Sequence, residues 1–331
     1  MKNPANHPMW PNIFMLSILI LSIIASVFFI PIVMETYYFI TGNDLHIPAW
    51  LGLVVSQVGI IGIPCALYLI INRKHIKDIL PFRRLGWKNW LFVIGMSVTI
   101  YPIGQLLNLA TGMIFGSPIQ GTMEEIMDTG GIWLMLALFP ILPSIFEEVA
   151  LRGIVFSGYR KVKIFTAAMV NGLFFGILHQ NFNQFSYAFL LGVFMCYFMY
   201  YTKSIWAPVI SHVVINTIGS LLMFLIGNVN LDEAYQTYTQ TEDFMYIWMF
   251  LILGFIAVVF TSIFIWIYIN FRNHNLRRNE ADGIVTNEHA AAVAAGEPIP
   301  RVLSSVTFWL VVGLGLALMV AIQILMTAGL V

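Results

Sequence analysis

Nine separate stretches of this chain are long and apolar enough to be candidates for crossing a bilayer, and this limits the possible folds more than any other feature. A helix rising 1.5 Å per residue needs about 20 apolar residues to cross a hydrocarbon core of about 30 Å. Runs close to that length lie at roughly 12–34, 49–71, 90–115, 130–157, 164–181, 184–202, 204–227, 244–270 and 304–330. Within lipid the backbone must satisfy its own hydrogen bonds, so a spanning segment is either a helix or a strand of a closed barrel. Barrel strands alternate apolar and polar residues, and these runs do not. The predicted fold class is therefore all-α: a polytopic transmembrane helical bundle of about nine helices. With 59% hydrophobic and 10% charged residues, a soluble enzyme is excluded. Lys plus Arg equals Asp plus Glu at 16 each and no basic patch stands out, which argues against a nucleic-acid partner.

The charges are sorted by loop. Arg73, Lys74, Lys77, Arg83, Arg84 and Lys88 follow the second run, Arg160, Lys161 and Lys163 the fourth, Lys203 the sixth, and Arg272, Arg277, Arg278 and Arg301 the eighth. The alternate loops hold Glu35 and Asp44, then Glu124, Glu125 and Asp128, then Asp232, Glu233, Glu242 and Asp243, with no Lys or Arg. By the positive-inside rule the N-terminus, with Lys2, is cytoplasmic, and nine crossings put the C-terminus outside. The first run leads into Glu35 and aromatic residues in place of a small-residue cleavage site, so it is expected to be a retained helix. Three parts are expected: helices over 1–128 with a basic cytoplasmic loop, core helices over 129–227, and a helical hairpin over 228–331 containing a cytoplasmic linker, 271–302. Cys65 and Cys196 both lie in apolar runs, which suits neither a disulfide nor a Cys-rich metal site.

Ionisable groups at membrane depth are costly unless paired or hydrated. Five stand out: Glu147, Glu148, Arg152, His179 and His212. Glu148 and Arg152 are four apart, so on a helix their side chains share a face and can pair. Glu147, about 100° further round the helix, is left without a cation and is a candidate general base. Pro140 and Pro143 just before it each remove a backbone donor and bend the helix. His212 and Asn216 are again four apart, which aims an imidazole and an amide at one point and suits an oxyanion. His179 follows Phe175 by four, so the two rings share a face. Counted from the cytoplasmic ends, His179 stands deeper than His212 by about 10 Å.

One carboxylate, two imidazoles and an amide form a set able to hydrolyse an amide with an activated water. Glu147 with His179 would deprotonate the water, while His212 and Asn216 would hold the negative oxygen. Ser144 and Ser211 are nearby hydroxyls, and the spacing singles out neither as a nucleophile. Zinc competes, because two His and one Glu form a known catalytic ligand set. On that alternative Glu147, His179 and His212 would be the ligands, although the HExxH helix is absent.

The run Glu147-Glu148-Val149-Ala150-Leu151-Arg152 reads EExxxR, Phe175 to His179 reads FxxxH, and His212 to Asn216 reads HxxxN. In this order, on three separate helices, they resemble the CPBP family, which comprises the CAAX prenyl proteases of type 2 and the Abi bacteriocin-processing enzymes. The resemblance covers roughly residues 130–225. It implies an integral membrane endopeptidase in which Glu147 and His179 activate water and His212 with Asn216 forms the oxyanion hole; Glu148 and Arg152, as a neutralising pair, are assigned to structural support. It further implies a protein or peptide substrate at the membrane, either a prenylated CAAX-type protein or a bacteriocin-like peptide. No cofactor is required on the glutamate reading, and zinc on the metalloprotease one. A multi-pass protein of a prokaryotic plasma membrane is the simplest localisation. Intramembrane Glu and His also build proton relays, so a proton-coupled transporter is an alternative, as is a non-catalytic immunity or scaffold protein.

Overall fold

The computed structural model describes residues 7–116, 118–227 and 242–328; Lys2, Asp232 and Glu233 lie outside the described residues. The chain is an all-α polytopic bundle. Its elements are α1 (Met9–Thr41), α2 (Ala49–Ile71), α3 (Trp87–Phe115), α4 (Gly121–Tyr159), α5 (Ile164–Leu178), α6 (Phe182–Thr202), α7 (Trp206–Leu225), α8 (Ile247–Ala281), the short α9 (Glu288–Ala294) and α10 (Val306–Thr327). Among the described residues the nine apolar helices expected from run length are present, eight of them long enough to span. The exception is α5, whose 15 residues rise only about 22 Å. It ends at Leu178 because Gln180 turns the backbone into the left-handed region, with φ 57°, and Asn181 caps α6 by accepting from the Gln184 N–H at 2.8 Å.

Close helix approaches are made by glycine. Without lipid exclusion to drive helices together, small residues let backbones meet and gain dispersion contacts. Gly172 and Gly176 on α5 form such a stripe against α6. A Cβ at Gly172 would lie 2.7 Å from the Phe189 carbonyl oxygen, and one at Gly192 would lie 2.7 Å from the Gly172 Cα. This hairpin forms the centre of the bundle, with α4 and α7 packed beside it. Outside it, α8 lies along α3, where the Asn89 and Asn275 amides bond each other reciprocally at 3.0 and 2.8 Å.

α4 is the irregular helix. Gly131 (φ 62°, ψ −167°) breaks it near its start, and it widens into π-helical turns over Ala137–Ile141 and Val149–Val155. Before the break, Glu125 accepts the Ala49 N–H at 2.7 Å, which satisfies an orphan donor at the start of α2 and places a negative charge on the positive end of its dipole.

The basic loops gather at one end. The stretch expected to act as a linker begins as helix, since α8 continues to Ala281. Arg278 grips the Leu85 and Arg84 carbonyls there at 2.7 and 2.6 Å, and Asn279 donates to the Tyr201 carbonyl at 2.9 Å. The chain then folds back under the bundle. Asp282 pairs with Arg83, Glu288 with Lys203 and Glu297 with Lys161. These contacts, made by polar residues that look like linker composition, hold the segment in place.

Because the α5–α6 contact leaves no room for a side chain, Gly172→Leu is expected to lower the stability of the purified protein by at least about 2 kcal/mol. A reduced monodisperse yield and melting temperature in detergent would be read out. Wild-type behaviour of this variant would refute the close approach.

Candidate active site

Glu147 and Glu148 are both buried, the latter completely. Glu147 stands twelve residues before α4 ends at Tyr159, about 18 Å into the bundle. A pair of carboxylates at that depth needs compensating charge, and Arg152 supplies it. Its Nη1 donates to Glu148 Oε1 at 2.8 Å and its Nη2 to the Gly192 carbonyl at 3.1 Å. The guanidinium lies 4.7 Å from the centroid of the Phe175 ring, a cation–π contact in a desolvated setting. Arg152 and Glu148 thus pair as their i, i+4 spacing implies.

His212 makes a contact that its i, i+4 spacing does not encode. Its Nδ1 lies 2.9 Å from Glu148 Oε1. An ionised carboxylate only accepts, so Nδ1 carries the proton. Nε2 then faces Glu147, 3.9 Å from Oε2, beyond hydrogen-bond reach. Asn216 does not bond His212. It donates instead to the Phe139 carbonyl at 3.2 Å, which the chain leaves accessible because Pro143, four residues on, has no N–H to offer. An amide has two N–H donors, so Asn216 retains one.

Glu147 has a partner the sequence reading missed. Gln57 of α2 donates Nε2 to Glu147 Oε1 at 2.9 Å, while Oε2 is buried and takes no hydrogen bond from the protein among the described residues. The signal was available: Gln57 is a lone amide within an apolar run, itself a costly placement. The other missed element is the Gly192 carbonyl that receives Arg152.

His179, at the end of α5, bonds through Nδ1 to the Phe175 carbonyl at 2.8 Å. A carbonyl accepts, so Nδ1 is the protonated nitrogen and Nε2 is left as an acceptor. The two imidazoles stand on Phe175, ring centroids 4.9 Å from it for His179 and 5.5 Å for His212. Phe175 thus contacts both imidazoles. Glu147, His179, His212 and Asn216 all line one cavity of about 930 Å³, as do Tyr101 and Tyr187.

Neither serine is set up as a nucleophile. Ser144 donates to the Pro140 carbonyl at 2.5 Å and Ser211 accepts from Ser97 at 2.8 Å. Among the described residues no three His, Cys, Asp or Glu side chains are grouped to share an ion. The alternative ligand set Glu147, His179 and His212 is not assembled in this arrangement.

Residues 129–218 match a family described as Type II CAAX prenyl endopeptidase Rce1-like. The matched segment contains the EExxxR, FxxxH and HxxxN motifs on their three helices, so this region is similar to that family. A curated protein, "Putative membrane peptidase YdiL" of Bacillus subtilis (strain 168), is 31% identical over 85 residues, 25% of this chain and 35% of that protein. The chain therefore spans about a third of the length of the curated relative it matches. No solved structure matches.

Arg152→Ala is expected to destabilise the fold by about 3–5 kcal/mol, since it strands the Glu148 carboxylate in a buried site. Thermal denaturation of the purified protein checks this, and a wild-type melting temperature would refute the pairing. Combining it with Glu148→Gln is expected to recover part of the loss, because the stranded charge is then removed.

Proposed function

We propose that the chain is an intramembrane endopeptidase of the glutamate type, hydrolysing a peptide bond of a membrane-associated protein or peptide. The observation that carries this reading is the Glu147 carboxylate: one oxygen is held by Gln57, and the other faces His212 Nε2 in the cavity without a partner from the protein. A water that donates to Oε2 at about 2.8 Å has its oxygen within reach of that nitrogen. The names borne by the matched family and by YdiL, a prenyl endopeptidase and a membrane peptidase, point the same way.

On this reading Glu147, with His179 across the cavity, orients a water and takes its proton as the oxygen attacks the scissile carbonyl carbon. The developing oxyanion is met by the free Asn216 N–H and by His212. His212 donates from Nε2 when doubly protonated, with Nδ1–H on Glu148. In that form Glu147, Glu148, Arg152 and His212 carry two negative and two positive charges, so the cluster is neutral before the water is activated. Glu147 then passes its proton to the leaving nitrogen as the C–N bond breaks. Glu148 and Arg152 position His212 and take no part in proton transfer. The protein uses no cofactor on this reading. The substrate branch, prenylated or plain, and a prokaryotic plasma membrane with the basic end in the cytoplasm, belong to the same proposal.

The test is turnover of C-terminal peptides, farnesylated and plain, by purified wild type and Glu147→Gln, each with and without a strong chelator. Cleavage is expected to survive chelation and to fall by on the order of 10²–10⁴ in the variant. Glu147→Gln keeps the shape of the side chain, so its melting temperature is expected to stay near wild type. Cleavage undiminished by the substitution would overturn the proposal, and loss on chelation restored by zinc would replace it with a metalloprotease.

A further inference from the structure

The basic end of the bundle is neutralised unevenly. Arg83, Lys161 and Lys203 each pair with an acid of the segment that folds back after α8, and Arg278 is spent on backbone carbonyls. Lys88 and Arg277 are different. They stand exposed on the facing helices α3 and α8, and among the described residues neither forms an ion pair. Together they line a separate cleft of about 470 Å³ that also holds His274 and Asn273 and contains no Asp or Glu.

The position of this cleft along the helices identifies its surroundings. In α8 the apolar run ends at Ile269 and the polar extension Asn270–Ala281 follows, while α3 begins at Trp87. The cleft lies across that boundary, with Leu91 and Phe92 on the apolar side and the two cations on the polar side. Trp87 and Trp90 are 69% and 48% exposed, as expected of rings seated at headgroup level. The walls are fixed by the reciprocal Asn89–Asn275 amide pair and by Arg278. Lys88 also lies 5.6 Å from the Trp87 ring centroid.

We propose that this cleft binds the headgroup phosphate of an anionic phospholipid, with Lys88 and Arg277 as its cations and an acyl chain along Leu91. A phosphate diester supplies the anion that both cations lack, and the attached chain covers the apolar half, which free phosphate would leave in contact with water. Each cation at a membrane surface contributes a factor of about 5 in affinity, so two give a preference on the order of 25-fold for an anionic over a zwitterionic lipid.

Native mass spectrometry of the full chain in detergent, with phosphatidylglycerol or phosphatidylcholine added, reads this directly. Wild type is expected to retain phosphatidylglycerol preferentially, and a Lys88→Gln/Arg277→Gln variant to lose most of that preference with an unchanged melting temperature. A control, Arg73→Gln/Lys74→Gln, alters exposed basic residues away from the cleft and is expected to keep it. Equal retention of the two lipids, an unchanged preference in the double variant, or an equal loss in the control would each overturn the proposal. So would inorganic phosphate competing the lipid away at equal concentration, since the site would then be one for free phosphate.

Discussion

A single buried guanidinium organises the centre of this molecule. Arg152 is fully buried and holds three groups, one on its own helix and two on others: the Glu148 carboxylate one turn back, the Gly192 carbonyl of α6, and the Phe175 ring of α5. Glu148 in turn fixes His212 of α7. Four helices thus converge on one charge that cannot leave, because an unpaired ion at this depth costs several kcal/mol. The contact also depends on glycine: a Cβ at Gly192 would collide with Gly172 and Phe175 and separate the backbone from the arginine it serves. Placing a salt bridge here gives little net stability, but it fixes which way the imidazole of His212 faces.

The irregular shape of α4 has the same consequence. Proline at 140 and 143 removes two backbone donors, and the helix widens into a π-helical turn around the first of them. The Phe139 carbonyl is free to take Asn216, so α7 is tied to α4 by an amide at one level and by an imidazole at the next. A regular helix would use that carbonyl itself and leave Asn216 unanchored. Such local irregularity is affordable in a membrane only because the freed groups find partners on neighbouring helices.

Much of this was legible in the chain, and the gaps have physical causes. Run length alone located all nine apolar helices, since lipid leaves the backbone no alternative. It overran α5, to 181 instead of Leu178, because the turn at Gln180 is set by its left-handed backbone and by the Asn181 cap, neither of which hydropathy registers. It also assigned 271–281 to a linker, because a helix leaving the membrane has the polar composition of one, and its order comes from the Asn275 bond to Asn89 of α3 and from the Arg278 bonds to the Leu85 and Arg84 carbonyls just before α3. In the site, the Glu148–Arg152 pair was readable because one helix fixes its spacing. The His212–Glu148 and Gln57–Glu147 contacts join helices far apart in sequence, and nothing in local periodicity encodes them.

Gln57 shows how far the site extends beyond its motifs. It lies on α2, outside the 129–218 match, yet it holds one oxygen of Glu147 and so decides where the other points. A carboxylate free to rotate would offer either oxygen to the cavity and would spend part of its time bonded elsewhere. With Oε1 anchored by an amide, Oε2 is presented in a fixed direction, 3.9 Å from the His212 nitrogen. α2 widens into a π-helical turn over Val55–Gly62, which contains Gln57, and at Gly62 it approaches Phe146 so closely that a Cβ would lie 2.7 Å from the ring. The position of the amide therefore depends on packing between α2 and α4. The flanking helices are part of the site's geometry: removing α2 would leave the three motifs intact in sequence and the Glu147 carboxylate without its anchor.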